Sequence, residues 1–292
     1  MNRLIIIDKT GKKKLVNVPS WDYYIPPQVA YDASAVSSDA FIPTFLFTSG
    51  QKGVWYDISD ASTLFQDSAG TTPVTAVGQT VGKVLDKSGN NAHATQSVLA
   101  NRPIYRKDVT GNGYLQFNGT STTLVSPSIN FTGSSKMVAS IGLFVDNPST
   151  GSAGVAVVLG GNPNSVNGSF LIGAPSSGSD HSFYLRGTST IIARVNNIVS
   201  GYDVLTGVFD ISQATKETQL IPRLNQTQTS NIAWTGTTAG TGNFGNLPLY
   251  LGSLGGSGTY FNGHIYQVII RGAASTETEL YQTEHYIDGK TG

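Results

Sequence analysis

Met137-Val138-Ala139-Ser140-Ile141-Gly142-Leu143-Phe144-Val145 decides the fold class. Met137, Ala139, Ile141, Leu143 and Val145 recur at every second position. Successive side chains of an extended chain point to opposite faces, so these apolar groups share one face of a half-buried strand. Working outward, further strands are predicted at 155–159, 169–173, 182–186, 190–195, 203–209, 219–224, 249–251 and 264–270, with glycine, proline or asparagine between nearly all of them. Many short strands spaced by roughly 8–12 residues point to a sandwich or barrel. No repeat of about 20–50 residues is visible, which argues against a propeller or solenoid. One helix is expected at 276–288. Thr276 and Glu279 form a T-x-x-E capping box, Leu280, Thr283 and Ile287 follow at helical spacing, and Gly289 ends the segment. Glu277 and Glu284 are expected on its outward, charged face.

Composition narrows the function classes. Of the 292 residues only 12% are charged, and 18 basic groups balance 18 acidic ones. Nucleic-acid affinity comes mainly from clustered cations that release counterions, so DNA or RNA is not an expected partner. Weak charge repulsion suits a chain that assembles with neighbours. Cysteine is absent, which removes disulfides, thiolate metal sites and cysteine nucleophiles together. The opening apolar run Leu4-Ile5-Ile6-Ile7 is too short for a signal peptide, and no span of about 20 apolar residues exists. The expectation is a protein made in a cytoplasm and not inserted in a membrane.

Residues 1–50 differ from the rest. Leu4 to Ile7 and Leu15 to Val18 read as a β-hairpin with a lysine-rich tip, and Trp21-Asp22-Tyr23-Tyr24-Ile25-Pro26-Pro27 follows. A lone hairpin is marginal in water and needs a partner surface. Either it packs on its own domain, or it is an extended arm that docks on another subunit through Arg3, Lys12, Lys13, Lys14, Trp21, Tyr23 and Tyr24; the aromatic groups favour docking. The second domain is expected over 51–292.

Several phrases then identify a likeness. Val54-Trp55-Tyr56-Asp57, Leu85-Asp86-Lys87-Ser88-Gly89-Asn90-Asn91, Tyr114-Leu115-Gln116-Phe117-Asn118-Gly119, Leu249-Tyr250-Leu251-Gly252 and Phe261-Asn262-Gly263-His264-Ile265 resemble, in order, the laminin-G-like and concanavalin-like jelly rolls carried by many bacteriophage particle proteins. The resemblance covers about residues 53–288. It implies an all-β, two-sheet antiparallel jelly-roll sandwich with a short C-terminal helix. It also implies a non-enzymatic structural protein on the virion surface, a head decoration or a fibre or tail appendage, whose arm anchors it to a capsid or tail protein. Such a protein would be a homo-oligomer, with a trimer one option. Asp86-Lys87-Ser88-Gly89-Asn90 suits an Asx turn with a positive-φ glycine, while Phe117-Asn118-Gly119 and Phe261-Asn262-Gly263 read as hairpin turns.

Related domains often bind calcium or sugar at rim loops. Asp86 and Asn118 are weak calcium candidates, because calcium wants several charged oxygens and the stretch after Asn118 has none. No other cofactor is expected. The alternative function is a carbohydrate-binding adhesin that contacts host surface glycans, with Trp234 beside Asn231 and Tyr260 beside Asn262 as platform candidates.

Catalysis is not expected. The glutamates are Glu217, Glu277, Glu279 and Glu284, three of them on the terminal helix, so no strand presents the opposed acidic pair of a glycosidase. His93, His181, His264 and His285 are scattered without metal-ligand spacing. Asp180-His181-Ser182 holds triad residue types, but neighbours on a strand face opposite ways. Gly255-Gly256-Ser257-Gly258 lacks the lysine of a phosphate loop and reads as a flexible rim loop.

Overall fold

The computed structural model describes residues 41–146, 154–175, 180–195 and 201–292, together with the backbone of two N-terminal strands. The chain divides into two compact units, 1–40 and 41–292. In the first, β1 (Asn2–Ile7) pairs antiparallel with β2 (Lys13–Val18), with Arg3 opposite Asn17, Ile6 opposite Lys14 and Ile7 opposite Lys13. That is the hairpin expected from the sequence. Lys12, Trp21, Tyr23 and Tyr24 lie outside the described residues.

The second unit begins at Phe41 rather than at residue 51. A 3-10 turn, Pro43–Phe47, buries Leu46 and Phe47 in one cluster with Trp55, Ile269 and Ile287. This stretch belongs to the sandwich because its apolar side chains find a surface there, a pairing that local sequence does not reveal.

Eighteen strands follow: β3 (Gly53–Asp57), β4 (Leu64–Phe65), β5 (Lys83–Val84), β6 (Ala94–Thr95), β7 (Ile104–Lys107), β8 (Gly113–Asn118), β9 (Leu124–Asn130), β10 (Lys136–Val145), β11 (Val155–Leu159), β12 (Ser169–Gly173), β13 (His181–Arg186), β14 (Thr190–Val195), β15 (Tyr202–Asp210), β16 (Leu220–Leu224), β17 (Thr227–Gln228), β18 (Ile232–Thr235), β19 (Asn246–Leu251) and β20 (Asn262–Arg271). A one-turn helix, α1 (Lys216–Gln219), precedes β16, and α2 (Glu277–Asp288) follows β20. The strands form two antiparallel sheets. The eight-stranded sheet runs β17-β16-β15-β10-β20-β8-β7, with β3 also on β20, and the ten-stranded sheet runs β18-β14-β13-β12-β11-β19-β9-β6-β5-β4. The protein is an all-β sandwich, as the alternating strands require.

Met137, Ala139, Ile141, Leu143 and Val145 all enter the core between the sheets, joined by Phe170, Phe183, Phe209, Phe244 and Phe261. Each fully buried ring of this kind contributes roughly 1.5–3 kcal/mol, and with no cysteine present the core is the main source of stability. The Asp86 turn also forms as read: the Asp86 carboxylate accepts the Ser88 N–H at 2.8 Å and Gly89 has φ +90°.

Two readings are corrected. Asn262-Gly263 is not a turn; both residues lie inside β20, opposite Asn118 and Phe117 of β8. Asn118-Gly119 does leave its strand, with Gly119 at φ +70°. Secondly, Glu284 does not face water. Although α2 carries its capping box, it lies on the outer face of the eight-stranded sheet, and Glu284 is 1% exposed. Its carboxylate takes two hydrogen bonds from Arg223 of β16, at 2.7 and 2.8 Å. An isolated helix gives no sign of this partner. Among the described residues no helix is long and apolar enough to cross a membrane.

Candidate functional site

A groove lies on the outer face of the ten-stranded sheet. Alternation along β12 and β13 sends Phe170, Ile172, Phe183 and Leu185 into the core and leaves Leu171, Ser182 and Tyr184 outside. β11 is apolar throughout, yet a register shift between Val155 and Val157 turns Val155 and Val158 outward together. These two valines join Leu171, Tyr184, Tyr250 and Leu254 in an apolar cluster separate from the core.

Loops rise on both sides. In the loop after β11, Asn162 folds an Asx turn: its Oδ1 accepts the Asn164 N–H at 2.9 Å, and its carbonyl accepts the N–H groups of Ser165 and Val166 at 3.0 Å. The glycine-rich loop after β19 closes on itself through Leu254 N–H to Gly258 C=O at 3.1 Å, and its Thr259 carbonyl accepts the Val155 N–H at 3.0 Å. Thr259 has φ +46°, an uncommon conformation for a β-branched residue and one that collects at binding sites.

Between the loops lies a cavity of about 190 Å³. Val155, Leu171, Leu254 and Pro163 give it an apolar floor and wall, Tyr184 an aromatic edge, and Ser182, Asn162, Asn164 and Thr259 its polar atoms. Among the described residues, no acid, histidine, lysine or arginine lines it. Ser182 is 1% exposed, and its hydroxyl has no hydrogen-bond partner. Its cross-strand neighbour is Gly173. A Cβ there would stand 2.6 Å from Ser182 Oγ, so the glycine keeps that hydroxyl open to the cavity. Buried hydroxyls are nearly always paired, and an unpaired one facing a cavity is suited to a ligand.

The residues proposed from sequence fall elsewhere or at the margin. Trp234, on the edge strand β18, is half-buried against the core with the Lys216 ammonium 5.7 Å from its ring, and exposed Asn231 precedes that strand. Tyr260 pairs with Val155 and follows groove-lining Thr259, whereas Asn262 sits opposite Asn118 in the other sheet. Strands β18 and β11 are four places apart, roughly 19 Å at about 4.8 Å per strand, so Trp234 and Tyr260 are not parts of one site. Ser182 and Tyr184 were legible as the polar face of a strand, but nothing local joined them to residues 162–164 or 254–259.

The calcium candidates are already occupied. Asp86 accepts from Trp55 N–H, Ser88 N–H, Ser88 Oγ and Ala92 N–H. Asn118 Oδ1 accepts the N–H groups of Thr120, Ser121 and Thr122. Both residues build turns, and among the described residues no group of three or more histidines and carboxylates is arranged to hold a metal. His181 pairs through Nε2 with Asp203 at 3.0 Å, linking β13 to β15, while Ser182 faces the opposite way; the three consecutive residues do not form a relay.

A second aromatic feature lies outside the eight-stranded sheet. Tyr114, His264, Phe144 and Tyr202 form a row across β8, β20, β10 and β15, with successive centroids 4.0, 5.1 and 5.0 Å apart. His264 Nε2 lies 3.0 Å from Asp146. Tyr266 touches Tyr114, Tyr202 and His264 in the same group of rings, and burial, with Tyr202, Asp108 and Tyr114 nearby, pushes its phenol up. The rings rest on one another at these distances.

No protein-family model matches this sequence, and no curated protein does. Solved structures do resemble it. The binding domain of Paraclostridial Mosquitocidal Protein 1 aligns over 72% of this chain and 51% of its own, with TM-score 0.51 and 14% identity. A botulinum neurotoxin type C structure, described as entering cells through interaction with two ganglioside molecules, aligns over 81% and 51%, with TM-score 0.52 and 10% identity. A Trypanosoma rangeli sialidase aligns over 84% of this chain but 34% of its own, with TM-score 0.52 and 11% identity. The chain thus spans about half the length of the two toxin structures. At such identities the likeness is one of fold, the β-sandwich.

Proposed function

We propose that this protein is a non-catalytic carbohydrate-binding module and that the groove over β11, β12 and β13 is its site. The observation that carries the reading is Tyr184 placed beside a cavity whose depth holds the unpartnered Ser182 hydroxyl. A pyranose ring has an apolar face for an aromatic side chain and hydroxyls for amide and hydroxyl partners, and this cavity offers both kinds of surface. The absence of any acid or base among the described residues of the lining favours binding over hydrolysis, since glycoside cleavage requires two carboxyl groups in most families. Structures of the same fold, one described as the binding domain of a mosquitocidal protein and one as a botulinum neurotoxin whose cell entry depends on two ganglioside molecules, support it by analogy of fold alone.

A glycan array probed with the full-length protein tests the reading. Binding is expected, with Tyr184→Ala abolishing it and Tyr114→Ala, on the opposite sheet, leaving it intact. The reverse pattern would move the site to the aromatic row, and an array without signal from folded protein would remove the function.

The division of the chain at residue 40 favours a second, compatible role. Residues 1–40 would attach the module to a particle, with the virion surface as its location and a capsid or tail protein as its partner. Removing residues 1–20 is then expected to abolish incorporation into particles while glycan binding persists.

A further inference from the structure

We infer that the ligand of this groove is an uncharged acetamido sugar, an N-acetylhexosamine whose acetamido group enters the cavity over Ser182; this rests on the carbohydrate reading above. Three features of the cavity select that class.

Charge comes first. No ionised side chain is among the described residues that line the cavity. Two arginines of the same sheet face stand outside that lining: Arg186 donates to Asn167 at 2.8 Å and to Thr190 at 2.9 Å, and Arg194, the cross-strand neighbour of Ser182, donates to Thr235 at 3.2 Å. A sugar carboxylate placed inside the cavity would lose hydration with no cation among the described lining residues to replace it, which is costly.

The second feature is the make-up of the floor. Val155, Leu171 and Leu254 are apolar, and Ser182 Oγ is the one unpartnered buried polar atom among the residues lining the cavity. A plain hexose would bring several hydroxyls to that floor, and Ser182 can satisfy only one. An acetamido group brings a methyl for the apolar surface and a carbonyl oxygen for the Ser182 O–H, within a single planar unit. Its pyranose ring is then left at the level of Tyr184, with the exposed amides of Asn162 and Asn164 beside it.

Size is the third. At about 190 Å³ the cavity is smaller than the roughly 300–1,000 Å³ typical of drug-sized sites. It suits one substituent and its ring rather than an enclosed oligosaccharide.

Calorimetric or saturation-transfer NMR titration of the full-length protein with N-acetylglucosamine, N-acetylgalactosamine, glucose, galactose and sialyllactose tests the inference. At least one acetamido sugar is expected to bind about tenfold more tightly than its parent hexose. Ser182→Ala should cut that affinity about five- to tenfold, the size of one neutral hydrogen bond, narrow the gap between the acetamido sugar and its parent hexose, and leave the melting temperature unchanged or raised because Oγ has no partner to lose. A preference for sialyllactose, equal binding of hexose and acetamido sugar, or an indifferent Ser182→Ala would overturn the acetamido assignment and leave the carbohydrate reading standing. Failure of all five sugars, together with a silent glycan array, would overturn both.

Discussion

Arg223 of β16 and Glu284 of α2 meet as a bidentate pair, Nε to Oε1 at 2.7 Å and Nη2 to Oε2 at 2.8 Å, with Glu284 buried against the sheet. The hydrogen bonds from Arg223 leave Glu284 compensated inside the protein, and the same bonds hold the guanidinium pKa above its ordinary value. The pair fixes where the terminal helix lies on the sandwich.

Removing one partner should therefore cost more than removing both. Glu284→Ala leaves a buried arginine with only the exposed Glu277 carboxylate, 3.6 Å from Nη1, as counter-charge and is expected to lower unfolding free energy by about 3 kcal/mol, whereas the double change Arg223→Met with Glu284→Leu should be close to neutral. Urea denaturation of the three variants checks the order.

Asp57 gives the fold a dependence on acid. Burial alone would push its carboxyl up, but hydrogen bonds from Ser59, Gln267 and Lys87 outweigh burial and hold it below the usual range. A carboxyl with a depressed folded-state pKa gives stability that is complete above the unfolded value, near 3.9, and is lost as pH falls toward the folded value, because the unfolded chain takes up the proton first. Asp57→Asn is expected to cost about 1.5–3 kcal/mol at pH 7, with the gap from wild type narrowing by pH 3. Denaturation curves at pH 7, 5 and 3 measure it, and a constant gap would exclude Asp57 as a source.

The last turn of α2 approaches β10 at Gly142. A Cβ at that position would press into Thr291 and stand 2.6 Å from Ile287. Gly142→Ala is thus expected to loosen the helix, lower stability by about 1–3 kcal/mol and speed amide hydrogen exchange in α2 more than in β12 or β13. Uniform exchange across these elements would argue against a local effect.

What was legible in the sequence follows from which interactions are local. β10 alternates cleanly, so its buried face could be read directly, and Thr276 with Glu279 marked the start of α2 because a capping box spans four consecutive residues. The burial of Glu284 could not be read, because its partner is far off in the chain and an isolated helix offers only the default of a solvated acid. Asn262-Gly263 carries a turn signal, yet β20 continues through it because β8 and β10 pair with it there. Val155-Ala156-Val157-Val158-Leu159 shows apolarity without alternation, so the bulge that turns two valines outward left no trace. The groove was the least legible feature. Its parts come from β11, β12, β13 and two loops, each individually ordinary, and Trp234, the more conspicuous aromatic, is spent on core packing.

The most direct measurement is a crystal structure of the full-length protein with a bound acetamido sugar. Density for the ring is expected beside Tyr184, between residues 162–164 and 254–259, with the acetamido oxygen within hydrogen-bond reach of Ser182 Oγ. Density lying instead on Tyr114, His264, Phe144 and Tyr202, or an empty groove at saturating sugar, would contradict the assignment.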